Sequence, residues 1–183
     1  ETLDDLEQAA RELAADQKAV EEQLARERME KLVDQLKSLL ARQQAAIDET
    51  ERLQLEFEAT GKWSRARLKS LRNLTEIQKN LLNETNDATE NVGSIEIIAL
   101  SLRGAVRYMQ RSIDLLEKRE AGEATIAAQQ LVVQRFEGLL KALSEDDEAR
   151  QENQPSGENG EGHQSGPGGD IVTLIAQLKV IRS

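Results

Sequence analysis

The chain has 183 residues, with one Trp, one Tyr, two Phe and no Cys, and its formal net charge is -10. The acidic balance argues against nucleic acid as the principal partner, because binding to phosphates is driven by Lys and Arg. The absence of cysteine excludes disulfides and thiolate chemistry, and the scarcity of aromatic residues excludes a core built on large rings.

The remaining composition favours an all-α fold. Ala, Leu, Glu, Gln, Arg and Lys dominate, and both prolines lie within residues 155–167. The first predicted element is a helix of roughly 55 residues, from Leu3 to about Phe57, because this stretch lacks Gly and Pro and its apolar residues recur at steps of three and four. Gly61 is a residue type that commonly ends a helix.

Three further helices are predicted before the chain becomes polar. The second begins at about Ser64 and bends or ends at residues 91–93. The third runs from Ser94 to near Gly122, and the fourth covers residues 123–144.

The C-terminal part differs in composition. Residues 145–169 are acidic and rich in Gly, so we predict a flexible linker there. Residues 170–183 are predicted to form a short apolar helix that continues beyond Ser183 and docks either on the bundle or on a neighbouring molecule. The apolar residues of this docking helix are Ile171, Leu174, Ile175, Leu178 and Ile181.

A sequence repeat predicts how the helices align. LKSLLARQQAAIDET at residues 36–50 is followed by LRNLTEIQKNLLNET at residues 71–85, and the offset is a whole number of heptads. Folding the chain back at Gly61 would bring Gln43 next to Gln78. A polar layer in an apolar seam disfavours slipped pairings, because a slip leaves its amides without partners. The predicted register-setting residues are Gln43, Gln78, Thr50 and Thr85.

The predicted fold of residues 1–144 is a long antiparallel coiled-coil hairpin, thickened to a three-helix bundle at one end. If Gly93 only kinks the chain, helices two and three together form one return arm that follows helix one along its length. The fourth helix then turns at Gly122 and lies along the third.

A set of motifs extends from the repeat to the C-terminus. The repeat follows L-x2-L-x3-Q-x3-[IL]-x-E-T, and after it come Ala105-x3-Met109, the run AAQQ at 127–130, FEGLLKAL, and IAQLKVIRS. Over residues 36–183 this set resembles uncharacterised long helical proteins of planctomycete-type bacteria that are attached to the cell envelope. The resemblance implies an envelope location and a scaffold-like role, and it supplies no catalytic residue.

A basic run lies beside the predicted hairpin turn. One interpretation is a tip that contacts an anionic surface or an acidic partner. The other, which we favour, is that these charges neutralise the acidic residues of helix one while the aromatic ring caps the apolar seam. The residues of this basic tip are Lys62, Trp63, Arg65, Arg67, Lys69 and Arg72.

Residue types suited to catalysis or metal binding are scarce. His163, the single histidine, lies in the predicted linker, where a metal site would lack preorganised ligands. The Gly-rich stretches lack the Lys and Ser/Thr of a phosphate loop. No stretch approaches the roughly 20 apolar residues of a membrane span. We therefore expect no catalytic residue, cofactor, metal or membrane span in these residues.

Two functions remain open. The first is a non-enzymatic structural or interaction protein: an elongated coiled-coil scaffold that binds protein partners, or copies of itself, through its helical faces. The second is a regulatory or stalk-like accessory domain of a larger enzyme or transport complex. The expected location is the periplasm or the cell envelope, with the cytoplasm as the alternative.

Overall fold

A computed structural model of the chain describes residues 2–92 and 95–152, and these residues are all-helical, without a strand among them. The predicted all-α class is therefore confirmed. The helices are α1 (Thr2–Thr60), α2 (Arg65–Asn91), α3 (Glu96–Glu117) and α4 (Glu123–Glu152). Helix α4 thus continues beyond the end predicted at residue 144.

The chain divides into two units, residues 1–35 and residues 36–183. In the first unit, the side chains of residues 6–28 are exposed along α1. They include four large aliphatic side chains: Leu6, Leu13, Val20 and Leu24.

The second unit is a helical bundle whose core receives side chains from all four helices. Its interior is aliphatic, and Phe136 is the largest side chain that is fully buried. Burial of each large apolar side chain contributes about 1.5–3 kcal/mol, so the narrow seams of several helices together replace an aromatic core. Representative core residues are Leu36 and Leu39 on α1, Leu74 and Leu81 on α2, Leu102 and Met109 on α3, and Val132 and Phe136 on α4.

The α1–α2 turn is built from local signals that the sequence carries. Gly61 has a φ of 63°, and its N–H donates to the Phe57 carbonyl at 2.7 Å. A left-handed residue in this place is a common way to end a helix. Ser64 then caps α2 with its side-chain oxygen, which accepts a hydrogen bond from the N–H of Arg67. The chain consequently reverses within a few residues.

A second reversal separates α2 from α3. Helix α2 ends at Asn91 and α3 begins at Glu96, and the two helices pack against each other. Thr85 Oγ1 on α2 lies 3.6 Å from Met109 Sδ on α3, and Gln78 Oε1 accepts from Ser112 Oγ at 3.0 Å. The contact thus moves toward the C-terminus of α3 as it moves toward the N-terminus of α2, so the two helices run antiparallel. The predicted single return arm is therefore wrong, because α3 folds back and buries its apolar face against α2 at once.

A third reversal brings α4 against α3. The N–H of Arg119 donates to the Leu116 carbonyl at 2.9 Å, and that of Glu120 donates to the Leu115 carbonyl at 3.0 Å. This pair of bonds is the Schellman pattern that closes a helix C-terminus. Because α4 returns along α3 and α1 also contributes core residues, a four-helix arrangement replaces the predicted thickening to three helices.

Two glycines with different backbone conformations give the first prediction: Gly61 has a positive φ and Gly138 does not. Gly61→Ala should lower the free energy of unfolding by about 1 kcal/mol, because an L side chain is strained at positive φ. Gly138→Ala should raise it by about 0.5–1 kcal/mol, because Gly138 lies inside α4 and an added Cβ meets nothing within 4 Å. Urea denaturation measures both, and a change of the same sign in the two variants would contradict this account.

A second prediction concerns Arg119, whose φ of 65° is left-handed in a residue that is not glycine. Arg119→Gly should raise the free energy of unfolding by about 1 kcal/mol, because the strain at the helix end is released. Lys118→Gly is the matched control: its φ is -79°, so glycine there brings only an entropic loss. Thermal denaturation in which both variants melt below the wild type would refute the prediction.

Candidate functional site: a buried polar layer

The fully buried polar side chains of the described residues include three glutamines and a serine, one from each helix, which we call the polar layer. They are Gln43 on α1, Gln78 on α2, Ser112 on α3 and Gln129 on α4, and each is 0% exposed. Amides and hydroxyls do not titrate near neutral pH, so these four side chains supply no general acid or base. What it can do is hold helices together by directional hydrogen bonds.

Two hydrogen bonds connect three of these side chains. Gln78 Nε2 donates to Gln43 Oε1 at 3.3 Å, and Ser112 Oγ donates to Gln78 Oε1 at 3.0 Å. Ser112 Oγ also lies 2.8 Å from the Met109 carbonyl on its own helix. Since a serine hydroxyl carries one proton, it donates to one of these two acceptors at a time. The amide of Gln78 thus bridges α1 and α3.

The other polar atoms of the layer have no hydrogen-bond partner among the described residues. Gln43 Nε2 and both polar atoms of the Gln129 amide are buried without a hydrogen bond. Such a group typically costs about 1–3 kcal/mol, because it has lost its water and gained nothing in return. Because two of these three atoms belong to Gln129, the packing of α4 affects how many hydrogen bonds the layer can form.

The structure separates the two threonines from the glutamines with which the sequence grouped them. Thr50 Oγ1 donates to the Ala46 carbonyl and Thr85 Oγ1 to the Leu81 carbonyl, both at 2.7 Å and both within one helix. Thr85 Oγ1 also lies 3.6 Å from Met109 Sδ. Thr50 therefore bonds along α1, Thr85 bonds along α2 and contacts Met109 of α3, and neither hydroxyl has a hydrogen bond to the glutamines among the described residues.

Sequence reasoning missed two members of the layer. Gln129 lies in the same heptad series as Phe136 on α4, and this was the available signal. Ser112 lies beside Ile113 of the apolar stripe on α3 but is itself polar, so the sequence pattern did not indicate that it is buried. Their place in the layer depends on the reversal between α2 and α3, which the repeat could not reveal.

A charged pair on the surface joins α1 to α2 near the layer. Arg42 Nη1 and Nη2 donate to the two carboxylate oxygens of Glu84 at 2.6 and 2.7 Å. These hydrogen bonds lower the pKa of the Glu84 carboxyl below its usual value and raise the pKa of Arg42. A bidentate arginine–carboxylate pair has a defined geometry, so it reinforces the same alignment of α1 with α2.

At the hairpin tip, Trp63 is half-buried and packs against the apolar core. Its ring stacks on Phe57 with centroids 4.9 Å apart, and the side chain packs against the cluster around Leu53 and Leu71. This agrees with the interpretation in which the tryptophan caps the apolar seam.

The cations of the basic tip fall into two groups. Arg67 is held by Glu56 at 2.9 Å and by Thr60 at 2.5 Å, and Arg72 Nε donates to the Leu68 carbonyl. The remaining three cations are exposed and have no ion-pair partner in the part of the chain that the structure describes: Lys62, Arg65 and Lys69. Within the described residues, Arg67 is therefore the one tip cation that forms an ion pair with an acidic residue of α1.

The residues of the docking helix, Ile171 to Ile181, and His163 lie outside the described residues. Within residues 2–92 and 95–152, no helix combines the length and apolar character that crossing a membrane requires. The same residues contain no group of three or more His, Asp or Glu side chains arranged to hold a metal ion.

Comparison with protein-family models, with curated proteins and with solved structures gave no match to the chain in any of the three. The function must therefore be inferred from the geometry of the described residues and from the sequence.

The Arg42–Glu84 pair gives a pH prediction. Because the pKa of Glu84 is lowered in the folded state, its stabilising contribution is present at neutral pH and disappears as the pH falls through that lowered value. Glu84→Gln should lower the free energy of unfolding by about 0.5 kcal/mol at pH 7, since an exposed ion pair contributes little. The difference from the wild type should shrink at about pH 3.

Urea denaturation at both pH values measures this effect. Glu51→Gln is the control, because Glu51 is exposed on α1 and has no ion pair among the described residues. An equal loss at pH 7 and pH 3 in Glu84→Gln would show that the pair does not act through its charge.

Proposed function

We propose that the chain is a non-enzymatic interaction protein, a coiled-coil scaffold of the bacterial cell envelope that binds other helices through an exposed face. The partner is a second copy of the chain or another helical protein. The exposed apolar stripe of α1 is the observation that carries this proposal.

The stripe consists of aliphatic residues on one face of a helix. Leu6, Leu13 and Val20 are 68%, 61% and 65% exposed, and they recur at heptad spacing. A repeat of seven keeps such residues on one side of a helix, which is the pattern by which helices pair. Large aliphatic side chains that follow this pattern on an exposed face favour association with a matching helix.

The bundle of the second unit is suited to a structural role. Its interior is aliphatic and its central layer contains amides and a hydroxyl, which hold helices in place without reacting. The exposed cations Lys62, Arg65 and Lys69 supply a second surface, complementary to an acidic partner. Support for the envelope location is the sequence resemblance over residues 36–183.

A pair of matched variants tests the role of the stripe. Leu13→Glu with Val20→Glu places two carboxylates on the apolar face, whereas Gln8→Glu with Ala15→Glu adds the same charges to the opposite face. We expect the first variant to lose association and the control to keep it, because only the first desolvates charge in the contact.

Sedimentation velocity over a range of concentrations measures self-association, and quantitative crosslinking of the intact protein in its native cells measures association with another helix. Circular dichroism verifies that both variants remain helical. Indistinguishable sedimentation and crosslinking in the two variants would refute an interaction role for this face.

A further inference from the structure

We infer that the buried polar layer closes as a ring of four hydrogen bonds, in which Gln129 of α4 accepts from Gln43 of α1 and donates to Ser112 of α3. Two bonds of this ring are present as direct contacts, Ser112 to Gln78 and Gln78 to Gln43. The inference adds the two that connect α4, and it makes Gln129 the residue that positions α4 in the bundle.

The placement of the helices brings Gln129 to the level of the layer. Ser112 and Gln129 lie at similar distances from the turn between α3 and α4, and these helices pack together. Arg135 of α4 lies beside Gly104 of α3, where an added Cβ would be 3.7 Å from the guanidinium, and this contact has the same antiparallel alignment.

Helix α1 adjoins the start of α4 on the other side. A Cβ added at Gly122, immediately before α4, would lie 3.6 Å from Gln54 Oε1 of α1. The C-terminal part of α1 therefore lies beside the N-terminal end of α4, and Gln43 lies farther along in the direction in which α4 proceeds. Gln43, Ser112 and Gln129 thus reach the core at one level from three helices.

The unpartnered atoms have the donors and acceptors that ring closure requires. Among the described residues, Gln43 Nε2 is a donor without an acceptor, Gln129 Oε1 is an acceptor without a donor, and Gln129 Nε2 is a second donor without an acceptor. Ser112 Oγ donates one proton and retains lone pairs that can accept another. Two bonds, Gln43 to Gln129 and Gln129 to Ser112, therefore satisfy all three buried atoms.

Closure of the ring also explains why α4 takes one register, among several in which its apolar residues would face the core. A slip of α4 by one heptad would bring Phe136 or Gly122 to this level in place of Gln129. An aromatic ring or a missing side chain would leave the amide of Gln43 without an acceptor, so each slipped packing is disfavoured.

Nuclear magnetic resonance of the wild-type protein tests the ring directly, and the chain contains its own controls. Gln44 and Gln130 adjoin Gln43 and Gln129 in sequence and are exposed. We expect the side-chain amides of Gln43 and Gln129 to exchange hydrogen far more slowly than those of Gln44 and Gln130, and to show cross-peaks to each other. Exchange of Gln129 as fast as that of Gln130, or cross-peaks to water in place of Gln43, would overturn the inference.

The substitution Gln129→Leu should change the equilibrium constant of unfolding in one direction if the ring is closed and in the other if it is not. With a closed ring, Gln129→Leu strands the amide of Gln43 and should raise the equilibrium constant of unfolding about tenfold. With an isolated Gln129 amide, the same substitution removes an unsatisfied group and would lower that constant. The second result would overturn the inference.

A double-mutant cycle separates the ring from a general effect of leucine. The increase in the unfolding constant for Gln43→Leu with Gln129→Leu should be about tenfold smaller than the product of the two single increases, because the bond can be lost only once. Thr85→Val with Gln129→Leu is the control pair and should multiply, since the Thr85 hydroxyl bonds within its own helix. Independent effects of Gln43→Leu and Gln129→Leu would overturn the inference, and the exchange measurement decides the matter if either variant does not fold.

Discussion

The buried amide of Gln78 is the constraint on which the packing of the bundle depends. It donates to Gln43 on α1 and accepts from Ser112 on α3, so the hydrogen bonds of one side chain depend on the alignment of both neighbouring helices. Aliphatic seams tolerate a slip by one heptad with little loss, because leucine replaces leucine. A buried amide does not, since a slip leaves it without partners in a medium of low dielectric constant.

The surface and the turns agree with the alignment of the interior. Arg42 pairs with Glu84 across α1 and α2, and Lys79 pairs with Glu117 across α2 and α3. Exposed pairs of this kind contribute little energy individually. These ion pairs favour the same antiparallel packing as the turns and the burial of apolar residues, so the three kinds of interaction support one another.

The two units give the chain different surfaces. The bundle buries most of its apolar residues, whereas α1 in the first unit exposes a heptad series of aliphatic residues. A single long helix contains both parts, from Thr2 to Thr60. One continuous helix therefore exposes aliphatic residues in its N-terminal part and contributes core residues in its C-terminal part.

The sequence by itself determined the helical class, the end of α1 at Gly61, and the meeting of Gln43 with Gln78, because helix propensity, glycine conformation and heptad spacing are local or simply periodic. Only the tertiary structure decided that α3 returns along α2, that Ser112 bonds to Gln78, that Gln129 is buried, and that Arg119 adopts a positive φ. After a helix break, the direction of the chain depends on which apolar face finds a partner, and that choice belongs to the whole bundle. A lone serine or glutamine in a helix is polar in the same way whether it faces water or the core, so its role appears only when the neighbouring helices are in place.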